Sequence, residues 1–248
     1  MEPTFSEEKD CDPTDVIIGQ GEFGGGVFLA AAAITRVLLR LQQFLGINGD
    51  IAEIGVLEGA FAIQLVPFLK RHEVFYAIDP YNEYPNLKDT VKNRLVKAAV
   101  ERDNLKFIHE SSKHVSTENL AREKSPGIRF FSIDGDHTEK LVLNDLLLAR
   151  DTIVDGGIIA VDDYFDRFSP GVSVAMTKYF MEMNQDRLAI LISGGNKVFL
   201  TTSSEHSMYR TLLEKFTSIN QSKSHRDVEW HGRSVLMVEN ILQDNLPI

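Results

Sequence analysis

Short apolar runs alternate with longer amphipathic segments along most of this 248-residue chain. The short runs are rich in β-branched and aromatic residues, which is typical of buried strands, and the longer segments repeat apolar residues at helical spacing. Strands are predicted at 50–54, 74–78, 105–109, 129–133, 158–161, 188–192 and 197–201. Helices are predicted at 27–45, 60–70, 88–101, 115–122, 139–152, 172–183 and 205–216.

Strands that alternate with helices long enough to cross a sheet pair in parallel. The pattern therefore predicts an α/β, Rossmann-like fold: a mainly parallel seven-stranded sheet with helices on both faces. Residues 234–238 are strand-like and predict either a further edge strand or a segment for self-association into a homo-oligomer. Residues 1–26 are interpreted as a mobile acidic leader and a glycine-rich loop, and residues 27–248 as one domain.

Charge and cysteine content narrow the possible partners. The formal net charge of −10 repels phosphate backbones, so no nucleic-acid partner is expected. The single cysteine, Cys11, excludes a disulfide within the chain and suits a reducing compartment. The apolar segment 27–45 carries Arg36 and Arg40, so we expect a buried helix, no membrane partner and a cytoplasmic protein that acts on a small molecule.

The first predicted strand ends in an acidic, glycine-containing turn with Glu53, Gly55 and Gly59. Glycines at this spacing let the backbone approach a ligand before a helix begins. A dinucleotide turn needs a glycine two residues after the first, where Leu57 stands, and Glu53 disfavours an anionic ligand. A carboxylate suits an ammonium group instead, although such a turn also occurs for purely structural reasons.

The second predicted strand ends at Asp79, twenty residues beyond Gly59, where a carboxylate can accept hydrogen bonds from ribose hydroxyls. An Asp before a proline is also a common turn residue. Glu53-x-Gly55-x-x-x-Gly59 followed by Asp79 resembles class I S-adenosylmethionine-dependent methyltransferases. The resemblance implies that Glu53, Gly55 and Gly59 line the methionine end, that Asp79 holds the ribose, and that Ser111, after the third strand, approaches the adenine.

Acidic residues also follow the fourth and fifth strands, Asp134 after one and Asp162 and Asp163 after the other. Adjacent strands lie about 4.8 Å apart, so these carboxylates can converge on one hard cation such as Mg²⁺. The alternative is that one carboxylate caps a helix and another faces solvent. Capping is the favoured interpretation of Asp136, which precedes the helix predicted at 139–152.

His137 lies three residues after Asp134 and titrates near neutral pH, so it can accept the proton of a substrate hydroxyl. The sequence Ile133-Asp134-Gly135-Asp136-His137, followed by the acidic pair at 162–163, is similar to a metal-dependent group that includes macrolide-sugar O-methyltransferases. The resemblance extends over 50–163 and implies that Asp134, Asp162 and Asp163 bind Mg²⁺ and that His137 is the general base. It also assigns Asp134 to the cofactor pocket.

These observations predict metal-assisted O-methylation of a small-molecule hydroxyl, of the sugar or natural-product type, with S-adenosylmethionine as the methyl donor. Three alternatives stay open from the sequence. The first alternative is a metal-independent N- or O-methyltransferase. The second is a non-catalytic binding protein with a methyltransferase-like pocket, and the third is a nicotinamide dehydrogenase on the same type of sheet.

Overall fold

The structure is a computed structural model that describes residues 27–98, 104–217 and 225–238. The predicted leader and glycine-rich loop at 1–26 lie outside the described residues. The strands are β1 (Asp50–Ile54), β2 (Phe75–Ile78), β3 (Leu105–Ile108), β4 (Ile128–Ile133), β5 (Ile153–Val161), β6 (Leu188–Gly194), β7 (Lys197–Thr202), β8 (His225–Trp230) and β9 (Arg233–Val238). The α-helices are α1 (Leu29–Phe44), α2 (Ala62–Leu65), α3 (Leu87–Ala98), α4 (Thr117–Leu120), α5 (Glu139–Thr152), α6 (Pro170–Lys178) and α7 (His206–Phe216).

All nine strands of the described residues form one sheet, in the order β3-β2-β1-β4-β5-β7-β6-β9-β8. Strands β1 to β5 are parallel, whereas β7 runs antiparallel to both β5 and β6. The predicted α/β, Rossmann-like fold is confirmed. Because β7 is reversed, its first residue lies at the edge of the sheet where the parallel strands end.

The sheet has two strands more than the seven predicted. Strand β9 covers the strand-like residues 234–238, and β8 pairs with it as an antiparallel hairpin. His231 and Gly232 form the hairpin turn with φ of 48° and 71°, the two positive values that a type I′ turn requires. Strand β8 reads HRDVEW and lies at the sheet edge, so its polar residues hide the apolar alternation that normally predicts a strand.

Two of the predicted helices are shorter than their periodicity suggests. The segment predicted as a helix at 60–70 contains α2 and a 3₁₀ turn at Val66–Phe68 that has Pro67 in its first positions. Proline has no N–H to continue the α-helical hydrogen bonds. The segment at 115–122 likewise keeps only α4, which a capping box between Ser116 and Asn119 begins.

Apolar side chains cover both faces of the sheet. On one face Phe130 and Ile158 of the strands belong to a buried cluster with residues of α1, α3 and α7. On the other face Phe131 and Ile159 pack in a cluster with residues of α5 and α6. Neighbouring strand residues thus alternate between two buried layers, as expected for a sheet sandwiched between helices. No helix among the described residues has both the length and the apolar content to cross a membrane.

A buried arginine joins the sheet to the helical layer. Arg129 of β4 donates two hydrogen bonds to the Glu73 carboxylate, at 2.8 and 2.9 Å, and one to the Gln42 side chain at 2.9 Å. A further donor reaches the Phe68 carbonyl oxygen at 2.7 Å. The guanidinium is fully enclosed, so its charge depends on these acceptors.

Candidate active site

A cavity of about 670 Å³ opens beyond the carboxyl ends of β1, β2, β4 and β5. This is where open α/β sheets bind their ligands, and the volume suits a nucleoside-sized molecule. Eight acidic side chains stand in a partly apolar wall, and among the described lining residues only Lys113 and His137 are basic. The carboxylates are those of Glu53, Glu58, Asp79, Glu83, Asp134, Asp136, Asp162 and Asp163.

The turn after β1 lies against the end of β4 and forms the floor of the cavity. Gly55 has a φ of 81°, and a Cβ atom at this position would lie 1.8 Å from the carbonyl oxygen of Asp134. Only glycine therefore allows the ends of β1 and β4 to approach so closely. Gly59 also has a positive φ, 80°, but it shapes the turn and does not belong to the described residues that line the cavity. Its predicted contact with the cofactor stays a prediction.

Glu53 lies under the cavity with only 1% of its surface exposed. Burial, followed by repulsion from Asp134, raises the pKa of the Glu53 carboxyl well above its usual value. Its Oε2 atom has no hydrogen-bond partner. A buried acceptor without a donor is costly, so this carboxylate is ready for a cationic or hydrogen-bonding ligand.

Asp79 is fixed by the backbone around it. Its Oδ2 accepts from the Leu57 amide at 2.9 Å, and its Oδ1 accepts from the Tyr81 amide at 2.8 Å. Each carboxylate oxygen can accept a second hydrogen bond, which leaves capacity for a ribose diol. Ser111 lines the same cavity from the segment after β3.

The acidic end of the cavity contains a buried cation that the sequence analysis missed. The Nζ atom of Lys197 lies 2.6 Å from Asp162 Oδ2 and 3.9 Å from Asp134 Oδ2. Burial alone would raise the pKa of Asp162, but attraction to the lysine outweighs it and holds that pKa below its usual value. Burial and repulsion from Asp162 raise the pKa of Asp134 well above its usual value.

Asp163 is oriented through its side chain by two neighbours, Asn196 and His137, rather than by Lys197. Its backbone has a φ of 58°, a left-handed conformation that Asp tolerates better than most residues. Its Oδ1 accepts from the Asn196 side chain at 2.6 Å, and its Oδ2 lies 3.0 Å from His137 Nε2. Asn196 also accepts from the Phe165 amide, so the β6–β7 turn fixes the direction of the chain after β5.

His137 is held through both ring nitrogens. Its Nδ1 lies 2.9 Å from the Ser169 hydroxyl, which in turn donates to Asp166 at 2.7 Å. With its proton directed to Asp166, Ser169 accepts from Nδ1–H, and this tautomer leaves Nε2 as the nitrogen that gains or loses a proton. The hydrogen bond with Asp163 raises the pKa of His137 above its usual value.

The structure brings the predicted residues to one edge of the sheet and adds others. The group Asp134, His137 and Asp163 has one ligand atom each within a mutual distance of 4.8 Å, whereas Asp162 turns to Lys197. Asp136 accepts from the Thr138 amide at 2.7 Å and so forms a turn before α5, whereas the N-cap residue of that helix is Thr138, without a side-chain capping bond, so the interpretation of Asp136 as the helix cap is wrong. Lys197 and Asn196 carried one signal in the sequence: a polar residue precedes, and a charged residue begins, a strand that is otherwise suited to burial.

Residues 52–164 match a protein family described as "Methyltransferase domain". A curated relative, uncharacterized protein R132 of Acanthamoeba polyphaga mimivirus, is 32% identical over 127 residues, which are 51% of this chain and 57% of the relative. The match thus spans little more than half of that relative's length.

Two solved structures share the fold at low identity. The O-methyltransferase TomG from Streptomyces achromogenes, solved in complex with SAM, is 16% identical, with 80% of this chain and 92% of that chain covered and a TM-score of 0.57. CalS11, a TDP-rhamnose 3'-O-methyltransferase of calicheamicin biosynthesis, is 18% identical, with 68% and 78% covered and a TM-score of 0.51. At these identities the likeness is one of fold.

Proposed function

We propose that this chain, which carries a methyltransferase domain of the class I fold, transfers a methyl group from S-adenosylmethionine to a hydroxyl oxygen of a small molecule. One observation carries the proposal: the cavity beyond the parallel strands is lined by carboxylates, with an unpartnered Glu53 oxygen beneath it and Asp79 at its side. Such a wall suits a ligand with ammonium and sulfonium charges and a ribose. It disfavours the pyrophosphate of a dinucleotide.

The residues present fit this donor. Gly55 lines the cavity floor without a side chain, and Glu53, whose Oε2 has no partner, is placed to accept from an ammonium group. Asp79 is placed to accept from the ribose hydroxyls, and Ser111 lies on the wall where the adenine is expected. Bound there, the donor supplies an electrophilic methyl group whose transfer leaves a neutral thioether.

His137 and its neighbours perform the proton step. As the acceptor oxygen forms its bond to the methyl carbon and the carbon–sulfur electron pair passes to sulfur, His137 Nε2 takes the hydroxyl proton. Ser169 and Asp166 hold the ring, and the negative charge of Asp163 nearby favours the imidazolium that results. The acceptor displaces the contact between His137 and Asp163 when it binds. We propose a sugar or natural-product hydroxyl as acceptor, in line with the acceptor that the name of CalS11 states.

The predicted magnesium ligands do not fit a divalent ion as a set of three. Asp162 is paired with Lys197, and both oxygens of Asp163 already contact Asn196 or His137. The alternative group of Asp134, His137 and Asp163 would engage the proposed base as a ligand. No step of the proposed reaction therefore passes through a metal ion, and Mg²⁺ at Asp134, Asp162 and Asp163 stays an untested prediction.

Replacing Asp79 by alanine is expected to raise the Kd for S-adenosylhomocysteine about tenfold to a hundredfold, because hydrogen bonds to a charged group contribute about 1.5–3 kcal/mol. Isothermal titration calorimetry measures this Kd, and Asp89→Ala, an exposed acidic residue of α3, is the matched control. The same instrument tests the proposal as a whole. Tighter binding of NAD than of S-adenosylhomocysteine by the wild-type chain would exclude a methyltransferase.

Replacing Asp163 by asparagine is expected to move the ascending limb of kcat/KM against pH to lower pH, because kcat/KM reports the free enzyme, in which Asp163 contacts His137. The acting form of His137 is neutral, so turnover rises as pH passes the pKa of the ring, and Asp163 raises that pKa. Asparagine accepts the φ of 58° and keeps one oxygen acceptor for the Asn196 side chain, while an uncharged amide group replaces the oxygen that faces His137. The profile is measured as S-adenosylhomocysteine release with an acceptor found by screening sugars and phenols. A limb that moves upward, or that stays in place, contradicts the role of the pair.

A further inference from the structure

We propose that the Lys197 ammonium is the permanent cation of this site, so that the Asp134 and Asp162 pair takes up no divalent ion and the reaction needs none. The inference deepens the proposed function and rests on it only for the location of the acceptor. The ion pairs themselves are features of the fold. Lys197 is a positioning residue here, because it lies beneath the cavity wall and does not belong to the lining.

The position of Lys197 follows from the direction of β7. The pair Val161 and Val198 is opposite in the β5–β7 ladder, so the preceding residue, Lys197, stands beside Asp162 at the end of β5. A parallel strand would have placed its first residue at the far edge of the sheet. The reversal of one strand therefore brings a lysine to the edge that collects the carboxylates.

The ammonium group is enclosed among acidic and aromatic neighbours, and its Nζ atom is held by short ion-pair distances rather than by well-directed hydrogen bonds. The side chain is 2% exposed, and Nζ lies 4.2 Å from the centroid of the Phe61 ring. Besides Asp162 and Asp134, the charge of Glu53 also acts on it. An aromatic face and several carboxylates are what a desolvated cation requires. Without this charge, several carboxylates would share a water-poor pocket with no counter-ion.

The lysine occupies the place that a shared divalent ion would need. Mg²⁺ binds carboxylate oxygens at about 2.0–2.1 Å, so an ion that bridged Asp134 and Asp162 would lie next to the ammonium group. Two cations cannot share Asp162 at these distances without strong repulsion. Asn196, the last residue of the β6–β7 turn, donates to Asp163, and the next residue, Lys197, pairs with Asp162. Two consecutive residues therefore orient both Asp162 and Asp163.

The test is a titration of the chain with Mn²⁺ while S-adenosylhomocysteine is bound. Electron paramagnetic resonance measures the free Mn²⁺ at each step of the titration. We expect the wild type and Asp162→Asn to bind the same amount of Mn²⁺, because Asp162 holds no ion in the wild type. We also expect turnover to survive exhaustive chelation. Lys197→Ala should gain a Mn²⁺ site, and the double variant with Asp162→Asn should lose it again. Lys197→Arg should behave as the wild type. Lys178→Ala, which breaks a surface pair with Glu139, is the control and should gain no site.

Three results would overturn the inference: wild-type Mn²⁺ binding that is lost in Asp162→Asn, turnover that chelation abolishes and Mg²⁺ restores, or no Mn²⁺ site in folded Lys197→Ala. If Lys197→Ala does not fold, the wild-type titration and the chelation experiment still decide. The Mn²⁺ signal is independent of methyl transfer. A chain that binds neither donor nor product refutes the proposed function, whereas a chelator-sensitive methyltransferase refutes only the inference on Lys197.

Discussion

Replacing His137 by alanine is expected to lower kcat by about 10²- to 10⁴-fold, which is the usual contribution of a general base, while the Kd for S-adenosylhomocysteine changes little. We expect kcat and Kd to respond differently because the His137 ring contacts Asp163 and Ser169, whereas Glu53 and Asp79 line the part of the cavity proposed for the cofactor. Turnover is measured as release of S-adenosylhomocysteine, and binding by calorimetry.

The matched control is His72→Ala, an exposed histidine before β2. It should keep the wild-type kcat. A variant at position 137 that loses turnover and cofactor binding together points to a disturbed fold, and a variant that keeps full turnover excludes His137 as the base. Ser169→Ala distinguishes orientation from chemistry, since it removes the partner of Nδ1 and leaves Nε2 in place. Its turnover should lie between those of the wild type and His137→Ala.

Replacing Glu73 by glutamine is expected to lower the free energy of unfolding by about 3–5 kcal/mol, because it leaves the Arg129 guanidinium buried without its counter-charge. Glutamine keeps the size of the side chain, but its amide nitrogen replaces one of the two oxygens that accept from Arg129, Gly49 and Lys70, so the change removes the charge together with one acceptor. Urea denaturation followed by far-UV circular dichroism measures the difference.

A surface pair of the same chemistry is the control for Glu73. Arg150 donates two hydrogen bonds to Asp151 on α5, and Asp151 is 46% exposed. Asp151→Asn should cost about 0–1 kcal/mol, the range for exposed ion pairs. Equal losses in both variants would mean that burial of the Arg129 pair adds nothing to its contribution. Because this pair is formed by residues outside the cavity, Glu73→Gln should leave the Kd for S-adenosylhomocysteine unchanged wherever the chain is folded.

The sequence predicted those strands and helices whose buried and exposed positions follow from the spacing of apolar residues. Strands β1 to β7 are apolar runs bounded by turn residues, and the structure confirms them within a few residues at their ends, apart from an earlier start of β5. The failures have local causes. Pro67 ends the short helix after β1, and β8 is too polar to stand out because it lies at an edge.

The candidate site was predictable as far as it lies at the ends of parallel strands. Glu53 lies near the end of its strand, Asp79, Asp134 and the pair at 162–163 follow theirs directly, and all of them meet on one cavity wall. Lys197 was not predictable in the same way, because its place depends on β7 running antiparallel, and strand direction is a property of the whole sheet. The contact of Ser169 with His137 was missed for a similar reason, since it joins residues 32 positions apart.

The contact between Gly55 and the Asp134 carbonyl makes two subsites mechanically inseparable. A methyl group at position 55 must push the ends of β1 and β4 apart, and this would displace the backbone of Asp134 and Gly135 at the same time as the turn after β1. Position 59 is different, because the nearest atom to an added carbon is a Val91 methyl group at 3.5 Å. Substitutions meant to change the preference for the donor or for the acceptor alone should therefore keep Gly55 and replace side chains that line the cavity.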